Sequence, residues 1–459
     1  MHYEKFPDGT VKCIEDEIPF ELPEGWEWTR LQAICEPITD GTHKTPTYSD
    51  EGFIFLSSKN VTSGHIDWDN IMYIPESLHN ELYARLAPQK NDILLAKNGT
   101  TGVAAIVDRD CIFDIYVSLA LLRIIGYIIS PEYLLSTIAS STIQNYFNSS
   151  LKGIGVPNLH LEHIRTTLIP VAPINEQYRI ATKLEQLLSF ADNIESDKTD
   201  LQTTIQLTKS KILDLAIRGK LVPQNPDDEP ANVLLDRIRA EKEGLIKQGK
   251  IKRDKKESVI FKGDDNSYYE KIGDTVTCID EELPFELPDG WIWCRGSSCF
   301  LTMESRKPSG TYFKYIDIDS IDNKHQAIKE AKITETAKAP SRANRAVFDG
   351  SILFSLVRPY LKNIALVDSN NADSIASTGF YIATSNGTFI PKYLYILMIS
   401  AYVVNGLNQF MKGDNSPSIS KDNIGKWLYP VPPLAEQEKI ANIVQKYNRI
   451  LEDIEKSLS

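Results

Sequence analysis

"IPFELPEGWEW" at residues 18–28 returns as "LPFELPDGWIW" at residues 283–293, with eight of eleven positions identical. The echo extends upstream, where "TVKCI" from Thr10 matches "TVTCI" from Thr275. It returns at the far end of each copy, where "PVAPINEQYRIA" (170–181) matches "PVPPLAEQEKIA" (430–441). Between these ends, Val107 and Val367, Tyr133 and Tyr393, Leu134 and Leu394, and Pro157 and Pro417 keep a constant offset of 260. The stretches between the anchors diverge. One scaffold presented twice, with unlike interiors, predicts two related surfaces with different readouts.

Each copy is rich in short strand-forming runs punctuated by turn residues. In the first copy these are "GFIFLSS", "NDILLAKNG", "GVAAIVD" and "IYVSLALLRII". In the second they are "GSILFSLV" (350–357), "NIALVD" (363–368) and "STGFYIATS" (377–385). A helix is expected from Ser130 in the first copy and from Ile390 in the second, each with Pro at its start.

Between the copies, Ile180, Leu184, Leu187, Ala191, Ile194, Lys198, Leu201, Ile205, Thr208, Ile212 and Leu215 are spaced alternately four and three. That is an a/d seam through about five heptads. It predicts a helix from about Glu176 to Arg218, roughly 60 Å long, with Gly219 as its stop. A shorter seam follows the second copy: Ile440, Val444, Tyr447, Leu451, Ile454 and Leu458. An antiparallel pair of helices is the simplest packing. The tract "EKEGLIKQGKIKRDKKES" (241–258) reads as a solvated, mobile linker, with a secondary possibility of phosphate contact.

The fold expectation is therefore α+β. Two similar mixed α/β domains are separated by long antiparallel coiled-coil-like helices with pseudo-two-fold character. The domains are residues 1–174 and 268–433, with a helical spacer and linker at 175–267 and a short distal helix at 434–459.

Composition narrows the function. The 459 residues suit two globular domains with connectors, and 42% hydrophobic with 24% charged residues is ordinary for a soluble protein. A net charge of −12 does not fit a general nucleic-acid binder, so any DNA contact must come from local patches. The most apolar stretch, 111–130, carries Asp114 and Arg123 and reads as buried strands, not a membrane span. No signal segment opens the chain. Six cysteines lie scattered without a CxxC pair, as expected of reduced thiols in a cytoplasm.

Catalytic signatures are missing from the sequence. It contains no GxxxxGK[ST] loop, no NPPY-like segment and no HExxH. "GIG" at 153–155 lacks the rest of a dinucleotide fingerprint. His160 and His163 have no acids at ligand spacing, so no metal site is expected. "PDDEP" (226–230) sits in a Pro-rich turn.

Two pairs of polar loops remain. "LLAKNGTTG" (94–102) and "LFSLVRPYLKN" (353–363) read as hairpin tips, offering Lys97 and Asn98 in one and Arg358, Tyr360 and Lys362 in the other. Arg reads guanine bidentately and Asn reads adenine. "LKGIGVPNLH" (151–160) and "MKGDNSPSIS" (411–420) each open on Lys-Gly, where backbone N–H groups can approach a phosphate. They offer Lys152, Asn158 and His160, and Lys412, Asn415 and Ser418. Hairpin and helix-cap chemistry would account for such loops equally well. "PINEQ" and "PLAEQ" place Glu176 and Glu436 favourably at helix starts.

Two divergent modules, each closing with "IPVAPINEQYRIA" or "YPVPPLAEQEKIA" and a long helix, resemble the specificity subunit of type I restriction-modification systems. The "LPEGWEW" and "LPDGWIW" openings look like the starts of that family's target-recognition domains, and "KSKILDLAIRGKLVPQ" (209–224) resembles the end of its central helix. The resemblance covers nearly the whole chain. It implies a non-catalytic, cytoplasmic reader of double-stranded DNA whose two domains each recognise half of a bipartite gapped site. It further implies that the helices set the gap and dock two modification subunits, with Glu176, Gln177, Lys198, Glu436 and Gln437 as candidate contacts. Those subunits would supply S-adenosylmethionine-dependent adenine methylation and much of the positive surface around DNA. A restriction subunit would join indirectly with ATP-driven cleavage, and this chain would hold no cofactor. One departure is that nothing after the second helix matches "KSKILDLAIRGKLVPQ", which leaves a short distal spacer; residues 3–17, matching 269–282, supply a lead-in to the first module. The competing expectation is a protein–protein scaffold with two duplicated modules.

Overall fold

The two repeated ends of each module meet as one ribbon. Glu27–Arg30, cut from "GWEW", pairs antiparallel with Leu168–Val171, placing Trp28 opposite Pro170. Ile292–Arg295 pairs in the same way with Leu428–Val431, placing Trp293 opposite Pro430. The chain therefore returns to its starting point in each copy, and both segments are constrained together. The computed structural model describes residues 1–61, 64–151, 157–252 and 257–458. It divides into two compact units, 1–195 and 196–459, so the division falls inside the long helix.

In the first unit, Cys35–Asp40, Leu119–Ile124, Ile93–Ala96 and Ala104–Ile106 form a four-stranded antiparallel sheet in that order. A smaller sheet sets Phe53–Leu56 between Met72–Ile74 and, in parallel, Phe113–Ile115. Ile93, Leu95, Ala120 and Leu122 face one apolar cluster, and Leu94, Ala96, Leu119 and Leu121 face a second. This period-2 alternation, apolar on both faces, identifies the sheet as doubly buried. It explains why 111–130 is so hydrophobic without spanning a membrane. No described helix is long and apolar enough to cross one.

The second unit repeats this plan. Ile352–Ser355 lies between Ile364–Leu366 and Phe380–Ala383. Tyr312–Ile316 runs parallel to Ile375–Ser377 in the companion sheet. Here the lead-in is a three-stranded sheet of Ser258–Lys262, Tyr268–Ile272 and Thr275–Cys278.

Three expectations change. The single helix from Ser130 is two helices, Pro131–Ala139 and Ser141–Ser149, and the one from Ile390 is Pro391–Ile399 and Ala401–Asn408. Ser140 and Ser400 sit at the break with extended backbone, and each side chain accepts the N–H three residues on. An N-cap serine thus starts a second helix where periodicity alone reads through. The expected linker 241–258 begins inside a helix, Ala231–Lys247, and ends in the lead-in strand Ser258–Lys262. Leu234 and Leu235 bury that helix's apolar face, which outweighs its charged exterior. The strand pairing Ser258 with Ile272 also crosses the expected domain start at 268.

The long helix runs Ile174–Ile217, 44 residues, within two residues of expectation at its start. Gly219 follows with φ +65, a conformation that ends a helix cheaply only at glycine. Its seam is unevenly covered. Ile205 is 2% exposed and Ile212 is buried, whereas Leu187 is 51% exposed and Leu184, Ile194 and Leu201 are also exposed. Within the second unit, the distal helix Leu434–Ser457 approaches the end of the long helix. Lys209 Nζ lies 2.6 Å from Glu455 Oε2, and Gln206 bonds the same carboxylate.

Candidate nucleic-acid interface

Both modules are braced by the same buried bonds. Gln177 at the start of the long helix accepts from Ser130 N (2.9 Å) and donates to Ile128 O (2.9 Å) and Ala172 O (2.7 Å). Gln437 accepts from Ile390 N (2.9 Å) and donates to Thr388 O (2.9 Å) and Pro432 O (3.0 Å). Every partner recurs at the 260-residue offset. Both glutamines are fully buried, as is Glu436, whose Oε2 accepts from Trp291 Nε1 at 2.8 Å. Burial pushes the Glu436 carboxyl up, only partly opposed by the Trp291 bond. The expectation that Gln177, Glu436 and Gln437 touch a partner is therefore corrected: they have no surface to offer. Glu176 and Lys198 are half-buried and remain reachable.

The lead-in strands are held by a second repeated device. Arg30 bonds Glu4 (2.7 Å), Glu17 (2.8 Å) and Thr166 O (2.7 Å). Arg295 bonds Glu270 (2.9 Å), Glu282 (2.8 Å) and Lys426 O (2.9 Å). Burial alone would lower the Arg295 pKa, but its two carboxylates outweigh that and raise it.

On this frame the two candidate loops of each module come together. Strands Ile93–Ala96 and Ala104–Ile106 make the first hairpin, and Ile352–Ser355 with Ile364–Leu366 the second. Asn98 bridges Asn158, and Val357 bridges Ser418. Leu159 N donates to Lys97 O, and Ile419 N to Leu356 O. These bonds set the correspondence: Lys97 matches Leu356, and Gly99 matches Arg358.

In the second module all six expected residues gather at one edge. Arg358, Tyr360, Lys362, Lys412 and Asn415 are exposed and Ser418 half-buried. Lys412 and Ser418 exchange backbone bonds, closing the 412–418 turn. Arg358 donates to Asn415 O at 2.7 Å, tying that turn to the hairpin tip. The tip is a 3-10 turn, Pro359–Leu361, with Arg358 at φ +48 and Lys362 at φ +54. A left-handed conformation costs a residue with a β-carbon about 1–2 kcal/mol. The first module places Gly99 (φ +79) and Gly102 (φ +89) at the ends of its shorter tip. Leu361 joins this edge without having been singled out by sequence; an apolar residue between cations at a hairpin tip was the available signal. Lys362 also lies at the rim of a cleft of about 1430 Å³ whose lining includes Lys324, Lys392 and Arg449. Arg358, Lys362 and Lys412 outnumber Asp414 at this edge, so it is locally cationic in a chain that is acidic as a whole.

The first module differs. Lys97 is 5% exposed and its ammonium lies 2.5 Å from Asp40 Oδ2. The expectation that Lys97 reaches a phosphate is corrected, because the buried carboxylate of Asp40 already holds it. Asn98 and Asn158 are half-buried at the loop junction, and His160 is exposed at the start of helix Leu161–Thr166. Lys152 lies outside the described residues. Gly99 and Thr100 are the exposed part of this tip. Among the described residues no group of His, Cys, Asp and Glu is arranged to hold a metal ion.

The model of the type I restriction modification DNA specificity domain matches residues 23–202 and 298–459. Relatives include the EcoAI specificity subunit of Escherichia coli, 26% identical over 95% of this chain and 80% of its own length. The EcoEI specificity subunit of the same organism is 25% identical over 98% and 82%. Among solved structures, the HsdS subunit from Thermoanaerobacter tengcongensis superposes with a TM-score of 0.57 at 18% identity, covering 96% of this chain and 93% of that one. A chain from a study of complex assembly and conformational transition in the type I restriction-modification system gives 0.58, also at 18% identity, covering 96% and 94%.

Proposed function

We propose, from the premise that this chain belongs to the type I restriction-modification DNA specificity family, that each module reads one half of a bipartite DNA site. The chain is a non-catalytic DNA-recognition subunit of such a system, and its partners are DNA and the other subunits of the complex. The division into two readers is carried by one observation. The frame bonds of Gln177 and Gln437 repeat at a constant offset, while the tips they support differ in every exposed side chain. Phosphate contacts position such a module and base contacts specify the sequence. In the second module Arg358, Tyr360, Lys362, Lys412, Asn415 and Ser418 take these roles, and in the first Asn98, Asn158 and His160.

The long helix is the spacer and the docking surface. Its exposed seam residues Leu184, Leu187, Ile194 and Leu201 are the kind of apolar row that another helix covers. The repeat supports two modification subunits, each lying beside one module. The chain acts in the cytoplasm, where its DNA substrate is found.

The test is exchange of residues 29–168 for the equivalent segment of a relative, followed by sequencing of methylated adenines in a host carrying the modification partner. One half of the motif changes, and the other half and the gap persist. A motif in which both halves change together refutes independent readers.

A further inference from the structure

We propose that Tyr360 and Leu361 form an apolar wedge that the second module inserts between two neighbouring base pairs of its half-site. The inference rests on the DNA-recognition reading and adds a mode of contact to it. Three observations carry it.

The first is strain in an unusual place. Five described non-glycine residues have positive φ, and two of them, Arg358 and Lys362, bracket this single turn. The equivalent tip of the first module has Gly99 and Gly102 at its ends, so glycine suits the backbone path. Side chains are kept in the second module despite a conformation that disfavours them. An observed outlier of this kind points to a use for the side chain.

The second is what lies between them. Tyr360 is 46% exposed and Leu361 is 40% exposed, two large apolar groups at a hairpin tip where turn residues are ordinarily small and polar. In the first module the corresponding exposed positions are Gly99 and Thr100.

The third is stiffness. Pro359 is buried, and helix Ala401–Asn408 packs behind the turn. Arg358 N donates to Pro417 O, Leu361 N to Arg358 O, Lys362 N to Pro359 O and Ile364 N to Lys362 O. A tip held this firmly can push without folding back.

An apolar tip, rigid and flanked by two cations, matches the chemistry of side chains that unstack a base step from the minor groove while neighbouring Arg and Lys contact the groove on either side. Such a wedge works most readily at a pyrimidine–purine step, which is easily kinked. The half-site of the second module should therefore contain one, and the other half-site needs none.

The test uses the full chain with its modification subunit, on a duplex carrying the motif mapped by methylation sequencing. 2-Aminopurine replaces each base in turn, other than the methylated adenine. Fluorescence rises several-fold at one step of the second module's half-site. Leu361→Ala and Tyr360→Ala abolish that rise, read with the complex saturating the duplex. Both side chains are substantially exposed, and circular dichroism of the variants checks the fold. A complex that binds the motif specifically yet shows no unstacked step, or one unaltered by both variants, overturns the wedge. Failure of the complex to prefer its motif at all overturns the DNA reading instead.

Discussion

Gln437→Ala separates a structural from a docking role for the "PxxEQ" signature. The side chain makes three bonds of 2.9–3.0 Å to Ile390 N, Thr388 O and Pro432 O, with no solvent access. Truncation strands one buried donor and weakens two buried acceptors, each worth about 1–3 kcal/mol if water cannot enter. It also leaves a cavity. Because a carbonyl tolerates a lost partner better than an N–H, the total should be about 3–5 kcal/mol. For a folding unit of this size that lowers Tm by roughly 6–20 °C. Gln437→Glu keeps the volume but faces an oxygen toward two carbonyls, so it also destabilises. Differential scanning calorimetry measures the first effect, and titration with the modification subunit, well below the variant's Tm, measures the second. Partner affinity should be unchanged. Loss of partner binding with an unaltered Tm would refute the assignment and restore Gln437 to the surface.

Four further outcomes are expected. Lys97→Ala leaves the buried Asp40 carboxylate, among the described residues, with His43 at 3.4 Å as its remaining side-chain neighbour in hydrogen-bond range, and should destabilise the first unit by about 3–5 kcal/mol without altering the salt slope of DNA binding. Arg358→Gly relieves the left-handed backbone, so Tm holds or rises, while motif binding weakens by about 1–3 kcal/mol and one motif position relaxes; unchanged sequence preference removes Arg358 from base reading. Inserting four residues between Leu201 and Ile205 lengthens the helix by about 6 Å, which at about 3.4 Å per base pair adds one or two base pairs to the gap; an active variant with its old gap shows that this helix is not the ruler. Glu436→Gln removes a carboxyl whose folded pKa is raised, so the folded state binds the proton more tightly than the unfolded one. Wild-type stability therefore falls as pH rises from the ordinary carboxylate range through the raised value, and the variant's thermal scans should show a flatter slope there and a higher Tm at neutral pH.

Local pattern carried the long helix almost to the residue, because a heptad seam is periodic and its glycine stop is unambiguous. The strands around Ile93–Ala96 and Ile352–Ser355 were legible for the same reason, as apolar runs between turns. Pattern failed where a single side chain decides. Ser140 and Ser400 split a helix through one cap bond that periodicity does not register. Gln177 and Gln437 look like exposed helix-start residues until the loops before Ser130 and Ile390 fold over them. Lys97 looks like a cation at a tip until Asp40, 57 positions earlier in the chain, is brought under it. Charge and turn chemistry singled out the loops, and tertiary pairing decided which side chains in them face outward.

The hairpin tips hang from fixed endpoints, since Lys97 and Leu356 are each pinned to the loop beside them by a backbone bond. Closing a surface loop depends only logarithmically on its length, with a doubling worth about 0.6 kcal/mol. A tip that lengthens into a flexible loop can therefore gain residues at little cost to folding. The one-residue difference between the stretches 99–102 and 358–362 is a small instance of that latitude. On the proposed reading, new DNA specificities become accessible by length variation as well as by substitution, in either half independently, with the buried frame as the part that has to stay constant.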